Sequence, residues 1–444
     1  MTRPPRIFWI LLLAGALLRV AAIHLRQEGV LERAPDEDEF FMIAQSVAHG
    51  DGFALHGQIT GYRDMLLPTL TGLSMRVFGE SAMPVLYLHV VLSCASAWLL
   101  YRIALRRFNK KTALWIGAAW IFYPLAVLFC ALLFTETVFV FFWLLALFYY
   151  DRLEEKDFDL KAAIPVGLAL GFALLTRQVG TTLLATVLIY VALIRYETPW
   201  KRRWKAAAVI LLACAVITVP WMIRNARAVG AFTLNTNGGI NFFIGNNAEA
   251  NGTYKLDPDQ EALLPPATVS EGDGSRGASA LAWQYIRQHP RETLHLWPRK
   301  FAFLWATDNT QWIHYNPPEG PPSVSKRLRD LPIALLLLMS LPYMLMVCLG
   351  VAGYYLVRHF PTRGLFILQV FLGTMAAFIS FGTPRFHVPM MPAMLLGAGS
   401  LTTVPAVWTS APLWRRFALL LTLGMFLGIW LFEAMVIAGV MTRS

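Results

Sequence analysis

The sequence predicts an all-α, polytopic membrane protein of about eleven transmembrane helices, with two exterior loops that carry short amphipathic helices. Three observations carry this expectation. Of the 444 residues, 57% are hydrophobic and only 15% charged, whereas a soluble domain would carry about a quarter of its residues charged. The apolar residues fall in long blocks, and a bilayer span needs about 20 of them. Lys and Arg gather in alternate short loops, the pattern of loops retained in the cytoplasm.

The apolar blocks lie at 7–25, 84–105, 112–128, 132–150, 160–176, 180–194, 206–223, 331–357, 365–381, 386–404 and 413–440. The first could be read as a signal peptide, since Arg3 and Arg6 precede it and "VAA" lies near its end. Its length, and Arg19 placed to snorkel near one end, instead suggest a retained span. Arg106, Arg107, Lys110 and Lys111 follow the second block, and Lys201, Arg202, Arg203 and Lys205 the sixth. Arg358 and Arg363 follow the eighth, and Arg415 and Arg416 the tenth. With the N-terminus cytoplasmic, all these loops share one side. Two long loops, 26–83 and 224–330, then lie outside a single membrane domain covering 1–444. A bacterial inner membrane is the expected location.

The net charge of +11 follows this topology and gives no reason to invoke nucleic acid. Cys94, Cys130, Cys214 and Cys348 all lie in or beside apolar blocks, so no disulfide framework or thiolate metal site is suggested. Asn251-Gly252-Thr253 is a glycosylation triplet of a kind common by chance.

In the first exterior loop, Phe40, Phe41, Ile43, Ala44 and Val47 recur at helical spacing, and Gly50 and Gly52 end the run. An amphipathic helix at the membrane surface is expected there. Asp36, Glu37, Asp38 and Glu39 stand at its start. Asp36-x-x-Glu39 fits a capping box. The same acids equally suit a general base or a divalent cation, with Asp38 and Glu136 as candidate ligands. The second loop begins with Gly- and Asn-rich "NTNGGINFFIGNNAEANG", which reads as turns. "DPDQEALLPPATVSEGDGSRGAS" has the composition of a mobile segment. "LAWQYIRQHPRETLHLWPRKFAFLW" returns to helical spacing, with breaks expected at Pro290 and Pro298.

Ionisable residues also flank the blocks on the exterior side: Glu136, Arg177, Arg224, Arg227 and Arg385. Each alone reads as an interfacial anchor. Together with Arg63, the arginines suit bidentate recognition of a phosphate. Glu433 and the scattered histidines, His89 and His387 among them, read as packed or paired. No P-loop, dinucleotide fingerprint or H-E-x-x-H spacing occurs.

The ordered set "PDEDEFFMIAQSVAHGDGF", "GYRDMLLPTLTGL", "FTET", "LTRQ", "PWMIRNARAVGAF", "GGINFFIGNN", "HPRETLHLWPRKFAFLW" and "PRFHVPMMP" resembles the GT-C superfamily of integral-membrane glycosyltransferases. The branch is that of protein O-mannosyltransferases and lipid A aminoarabinose transferases. The resemblance implies transfer of a sugar from a polyprenyl-phosphate carrier to an exterior acceptor, with inversion at the anomeric carbon. It implies that Asp36 is the key acid; Glu37 beside it is the second catalytic candidate, and Arg63, Glu136, Arg177, Arg224, Arg227 and Arg385 are the candidates for binding substrate. Where the family often has Arg-Pro-Pro, this chain has Arg63-Asp64-Met65. The Trp-Trp-Asp motif of oligosaccharyltransferases is missing, which disfavours en bloc transfer to Asn. The expected partners are the lipid-linked donor, membrane lipids and an extracytoplasmic acceptor. A transporter of lipid-linked glycans, or a non-catalytic subunit of the same fold, is the alternative. A transporter calls for charges deep in several spans and for broken helices at midplane.

Overall fold

A computed structural model describes residues 4–26, 35–194, 198–256, 261–265, 269–309, 333–404 and 406–437. Arg3, Arg33 and the end of the second exterior loop, 310–332, lie outside the described residues. Among the described residues, the regular structure is helical apart from one two-stranded hairpin. Helices fill most of each apolar block among these residues. Among the described residues, five helices are long and apolar enough to cross a membrane: Arg6–Leu25, Met83–Leu105, Trp200–Ala228, Ala334–Leu356 and Leu413–Val436. Shorter apolar helices occupy Leu160–Thr176, Gly180–Ile194 and Arg363–Ile379. The chain is an integral membrane protein.

The bundle is built from α1 (Arg6–Leu25), α4 (Met83–Leu105), α5 (Lys110–Ile121), α7 (Glu136–Glu155), α8 (Leu160–Thr176), α9 (Gly180–Ile189) and α10 (Trp200–Ala228). One continuous core runs through it, with Trp143, Tyr101 and Tyr150 fully buried. Helices α8 and α10 approach closely because Gly167 and Gly171 stand four residues apart on one face. A Cβ on Gly167 would lie 2.3 Å from the carbonyl oxygen of Ile210, so any larger residue would force the helices apart.

Arg19 differs from expectation. It is 1% exposed and points inward. Its Nε donates to Ser93 Oγ at 2.9 Å, and its Nη1 to the carbonyls of Gly15 and Ile121 at 3.0 and 2.8 Å. A guanidinium with nowhere to reach water must find acceptors inside the protein. Arg19 therefore clamps α1 to α4 and α5 and does not snorkel.

The third apolar block is broken. After α5 comes the short helix α6 (Pro124–Leu128), then an irregular, fully buried stretch to Thr135. Non-helical backbone at this depth needs partners from the protein itself. Here they come from the first exterior loop: Glu37 Oε1 accepts from the Leu133 amide at 2.6 Å, and Arg26 Nη1 donates to the Ala131 carbonyl at 2.6 Å.

In that loop α2 (Pro35–His49) forms as expected, with Phe40, Ile43 and Ala44 buried. Its apolar face is covered by protein. A further helix, α3 (Leu66–Phe78), packs on it so closely that a Cβ on Gly72 would lie 2.6 Å from the Ala44 carbonyl. Between them lies the hairpin β1 (Ala54–Leu55) and β2 (Gln58–Ile59), turning at His56 and Gly57, both with positive φ.

The second loop is more ordered than its composition suggests. Its Gly/Asn-rich start holds a helix, Asn237–Ile244, where turns are expected. The helix Glu271–Gln288 starts inside the stretch read as mobile, and its cap residue Ser270 accepts from the Asp273 amide. The break at Pro290 is present, but Pro298 sits inside the next helix, Pro290–Leu304.

Candidate active site

The C-terminal end of α1, the N-terminal end of α7 and the C-terminal end of α8 meet at one end of the bundle. The ion pairs Arg107–Asp151 and Arg106–Glu155 mark the opposite end, among the basic short loops. The meeting point brings together residues far apart in sequence. Asp36, in the first turn of α2, uses Oδ1 to accept from Arg63 Nη2 at 2.6 Å and Oδ2 to accept from Arg385 Nη1 at 2.9 Å. Arg63 Nε also donates to Glu39 at 2.5 Å. Arg385 continues to Glu136, its Nη2 lying 3.3 Å from Oε2, and Glu136 is paired in turn with Arg177. The result is an alternating chain of charges: Glu39, Arg63, Asp36, Arg385, Glu136, Arg177.

Aromatic faces support the cations. The Arg385 guanidinium lies 4.2 Å from the Phe134 ring centroid, and Arg63 lies 5.1 Å from Tyr62 and 5.5 Å from Phe40. Burial opposes ionisation of Asp36, but the Arg63 and Arg385 guanidiniums outweigh it and hold the carboxyl down at about 2. The same carboxylates hold Arg63 above its ordinary range against the opposing effect of burial. Asp36 and Glu39 thus share Arg63, and neither serves as the capping box expected of them.

Arg177 contributes something different. It bonds through Nη1 alone, to Glu136 and to Thr135 Oγ1 at 3.1 Å. Its Nε and Nη2 have no hydrogen-bond partner among the described residues, and neither does Arg63 Nη1. These N–H groups are free to meet an anion.

Other expected site residues are placed elsewhere. Glu37 is 2% exposed, with one oxygen on the Leu133 amide and the other on Arg26. It anchors the irregular backbone after α6. Arg224 Nη1 donates to the Thr60 carbonyl at 2.6 Å and its Nη2 to that of Phe53 at 3.1 Å, over the Trp221 ring. It fastens the hairpin to α10 and does not join the charge chain. Arg227 is exposed, with no partner among the described residues. Asp38 is exposed, while both Glu136 oxygens carry arginine. Among the described residues no three His, Cys, Asp or Glu side chains converge to hold a metal. Asp38 and Glu136, the candidate ligands, are in no such group.

The sequence reading missed the support beneath Arg385. His387, two residues on, has Nδ1 2.7 Å from the Leu304 carbonyl and Nε2 2.9 Å from Asp308 Oδ1. Tyr123 donates to the other Asp308 oxygen at 2.7 Å. All three side chains are buried, and Tyr343 stacks on the imidazole at 4.5 Å. This fixes the 3₁₀ segment Pro384–Met390, and so the direction of Arg385. Glu433, from the last helix, accepts from the Thr307 amide at 2.7 Å and so holds the backbone beside Asp308.

Comparison with known proteins agrees with the motif resemblance. Residues 65–223 match the family model "Dolichyl-phosphate-mannose-protein mannosyltransferase". The matched stretch includes Glu136 and Arg177. No curated protein sequence matches the chain significantly. Among solved structures, ArnT from Cupriavidus metallidurans bound to undecaprenyl phosphate is 14% identical, with a TM-score of 0.46 over 89% of this chain and 78% of that one. The Archaeoglobus fulgidus oligosaccharyltransferase tethered to an acceptor peptide is 13% identical, with a TM-score of 0.48 over 96% of this chain. The chain spans only 54% of that protein's length.

Proposed function

We propose that this protein is a glycosyltransferase. It takes a sugar from a polyprenyl-phosphate carrier and passes it, with inversion at the anomeric carbon, to an acceptor on the extracytoplasmic face of a cell membrane. The observation that carries this reading is the alternating chain of charges, with open N–H groups on Arg177 and Arg63. The description of the matched family, which names a polyprenyl-phosphate-linked mannose, points the same way.

The charges fit the reaction. Three arginines face three carboxylates, so the chain is neutral before substrate arrives. A lipid-linked sugar phosphate is a phosphodiester with one negative charge. As its bond to the sugar breaks it becomes a monoester, and a second charge grows on oxygen. Fixed donors that meet the growing charge without rearranging lower the barrier. Asp36, Glu39 and Glu136 hold the guanidiniums in place, and the Arg177 fork receives the phosphate oxygens. The apolar lipid tail lies along the bundle.

The test is kinetic. Arg177→Ala should raise the KM for a polyprenyl-phosphate-linked sugar about tenfold or more, with Arg177→Lys rescuing only part of the loss. Arg227→Ala, at an exposed position, serves as the control. Equal KM values for Arg177→Ala and wild type would remove the phosphate role.

A further inference from the structure

Resting on that reading, we infer that Asp64 is the base that takes the proton from the acceptor hydroxyl. Asp64 follows Arg63 directly and lies where the two exterior loops meet. Its Oδ1 is fixed by Asn235 Nδ2 at 2.6 Å and by the Gln178 amide at 3.2 Å. Its Oδ2 has no hydrogen-bond partner among the described residues, and the side chain keeps partial access to solvent. Asp36 stands in the opposite condition, with a guanidinium on each oxygen. Each Asp36 oxygen is already engaged by a cation, which lowers its basicity, whereas Asp64 Oδ2 carries none.

A second observation shows what the place around Asp64 accepts. Asn235 is 7% exposed, and its Oδ1, on the amide that bonds Asp64, is buried with no donor. Asn237 Oδ1, two residues on, is also buried without a donor. Gly238, the next residue, allows the close approach of Gln178, whose Oε1 would lie 2.9 Å from a Cβ there. Buried acceptors that lack a donor are costly. A ligand rich in hydroxyl groups satisfies them, and a hydroxyl is what the reaction consumes. The ligand class is therefore an alcohol: a sugar hydroxyl or a hydroxyl-bearing side chain.

The basicity agrees with this division of labour. Burial pushes the Asp64 carboxyl up to about 6, against the lowering effects of Asn235, Arg177, the Gln178 amide and Arg63. Arg177 and Arg63 are the charged groups that act on it. A base with a value near the working pH is effective, whereas Asp36, held at about 2, is a weak one. In the step itself, the acceptor O–H gives its proton to Asp64 Oδ2 as its oxygen bonds the anomeric carbon. The bond from that carbon to the phosphate oxygen breaks, and its electron pair leaves with polyprenyl phosphate. Where the resembled family often carries proline, this chain carries Asp64, so the assignment belongs to this chain's own site.

The experiment compares wild type, Asp64→Asn, Asp64→Glu and Asp36→Asn in lipid nanodiscs. It uses a polyprenyl-phosphate-linked sugar and an alcohol acceptor between about pH 4.5 and 8. Wild-type kcat/KM should rise with pH through about 6 and then level. Asp64→Asn should lose at least about a hundredfold in kcat together with this limb, while binding of polyprenyl phosphate alone stays within about twofold. Asp64→Glu should keep measurable transfer with the limb displaced, and Asp36→Asn should keep the limb in place. Wild-type transfer with Asp64→Asn near normal, or with the limb unmoved in both Asp64 variants, overturns the assignment and leaves the transferase reading standing. A wild-type protein that transfers to no alcohol and releases no polyprenyl phosphate overturns both.

Discussion

Replacing Asp36 by Asn separates electrostatic support from proton transfer. The Asp36 carboxyl lies at about 2 against an ordinary 3.8, a depression of about two units, or ~2.5 kcal/mol at about 1.4 kcal/mol per unit. The side chain keeps 36% exposure, and water screens such a pair, so about 1 kcal/mol is the reasonable size. Arg63 retains Glu39 and Arg385 retains Glu136 in the variant. Neither guanidinium is left alone, and the roughly 3–5 kcal/mol penalty of a stranded buried charge does not apply. The sign follows from the depressed value. The contribution is complete above the unfolded value of 3.8 and is lost as pH falls through about 2. Between pH 5 and 8 the cost of Asp36→Asn should therefore be small and flat. The Asn amide can accept from one guanidinium but opposes the other with N–H groups. Arg63 and Arg385 should thus sit less firmly, and the KM for the lipid-linked donor should rise several-fold. Thermal unfolding of the nanodisc-embedded protein across this pH range, beside donor KM, is the assay. A stability loss that grows with pH, or one above about 3 kcal/mol, would refute the reasoning.

Two further outcomes follow from the placement of charge. Reporter fusions after Gly57 and within 271–277 should both report an exterior location, since the basic short loops gather at the far end of the bundle; a cytoplasmic signal at either overturns the topology. Arg224→Ala should lower thermal stability by about 1–3 kcal/mol, because it removes bonds from Arg224 to the hairpin carbonyls of Thr60 and Phe53. The variant should leave the donor KM nearly unchanged in the protein that remains folded, and a raised KM with normal stability would return Arg224 to the phosphate site.

The apolar blocks were legible because the bilayer imposes length and composition on each helix. Asp36, Arg63, Glu136, Arg177 and Arg385 were legible as a group because topology alone places them at one face. The direction of a side chain at a helix end is set by tertiary contacts, and that is why Arg224 was misplaced. It lies beside the others in a topology diagram yet turns to the Thr60 carbonyl, 164 residues away in sequence. Arg19 failed for a similar reason, since the Ile121 carbonyl that receives it belongs to a helix end no local pattern reveals. The helix Asn237–Ile244 was hidden by Gly and Asn, both poor helix formers. It is held by packing: Gly239 lies against the helix Glu271–Gln288, where a Cβ would fall 2.0 Å from the Ser275 carbonyl. Asp308 carried no sequence signal, because its partner Tyr123 is 185 residues distant. Asp64 was visible only as a departure from a family pattern. Its environment comes from Gln178 and Asn235, which topology brings to it.

The most direct test of the account follows both products of one turnover. Purified wild-type protein in nanodiscs is given a polyprenyl-phosphate-linked sugar of defined anomeric configuration and an alcohol acceptor, and lipid and glycoside are quantified together by mass spectrometry and NMR. The account predicts polyprenyl phosphate and glycoside in equal amounts, the glycoside with the opposite anomeric configuration, and both reduced in step by Arg177→Ala. A glycoside that retains the donor's configuration, or transport of intact donor across the bilayer with no phosphate released, would contradict it.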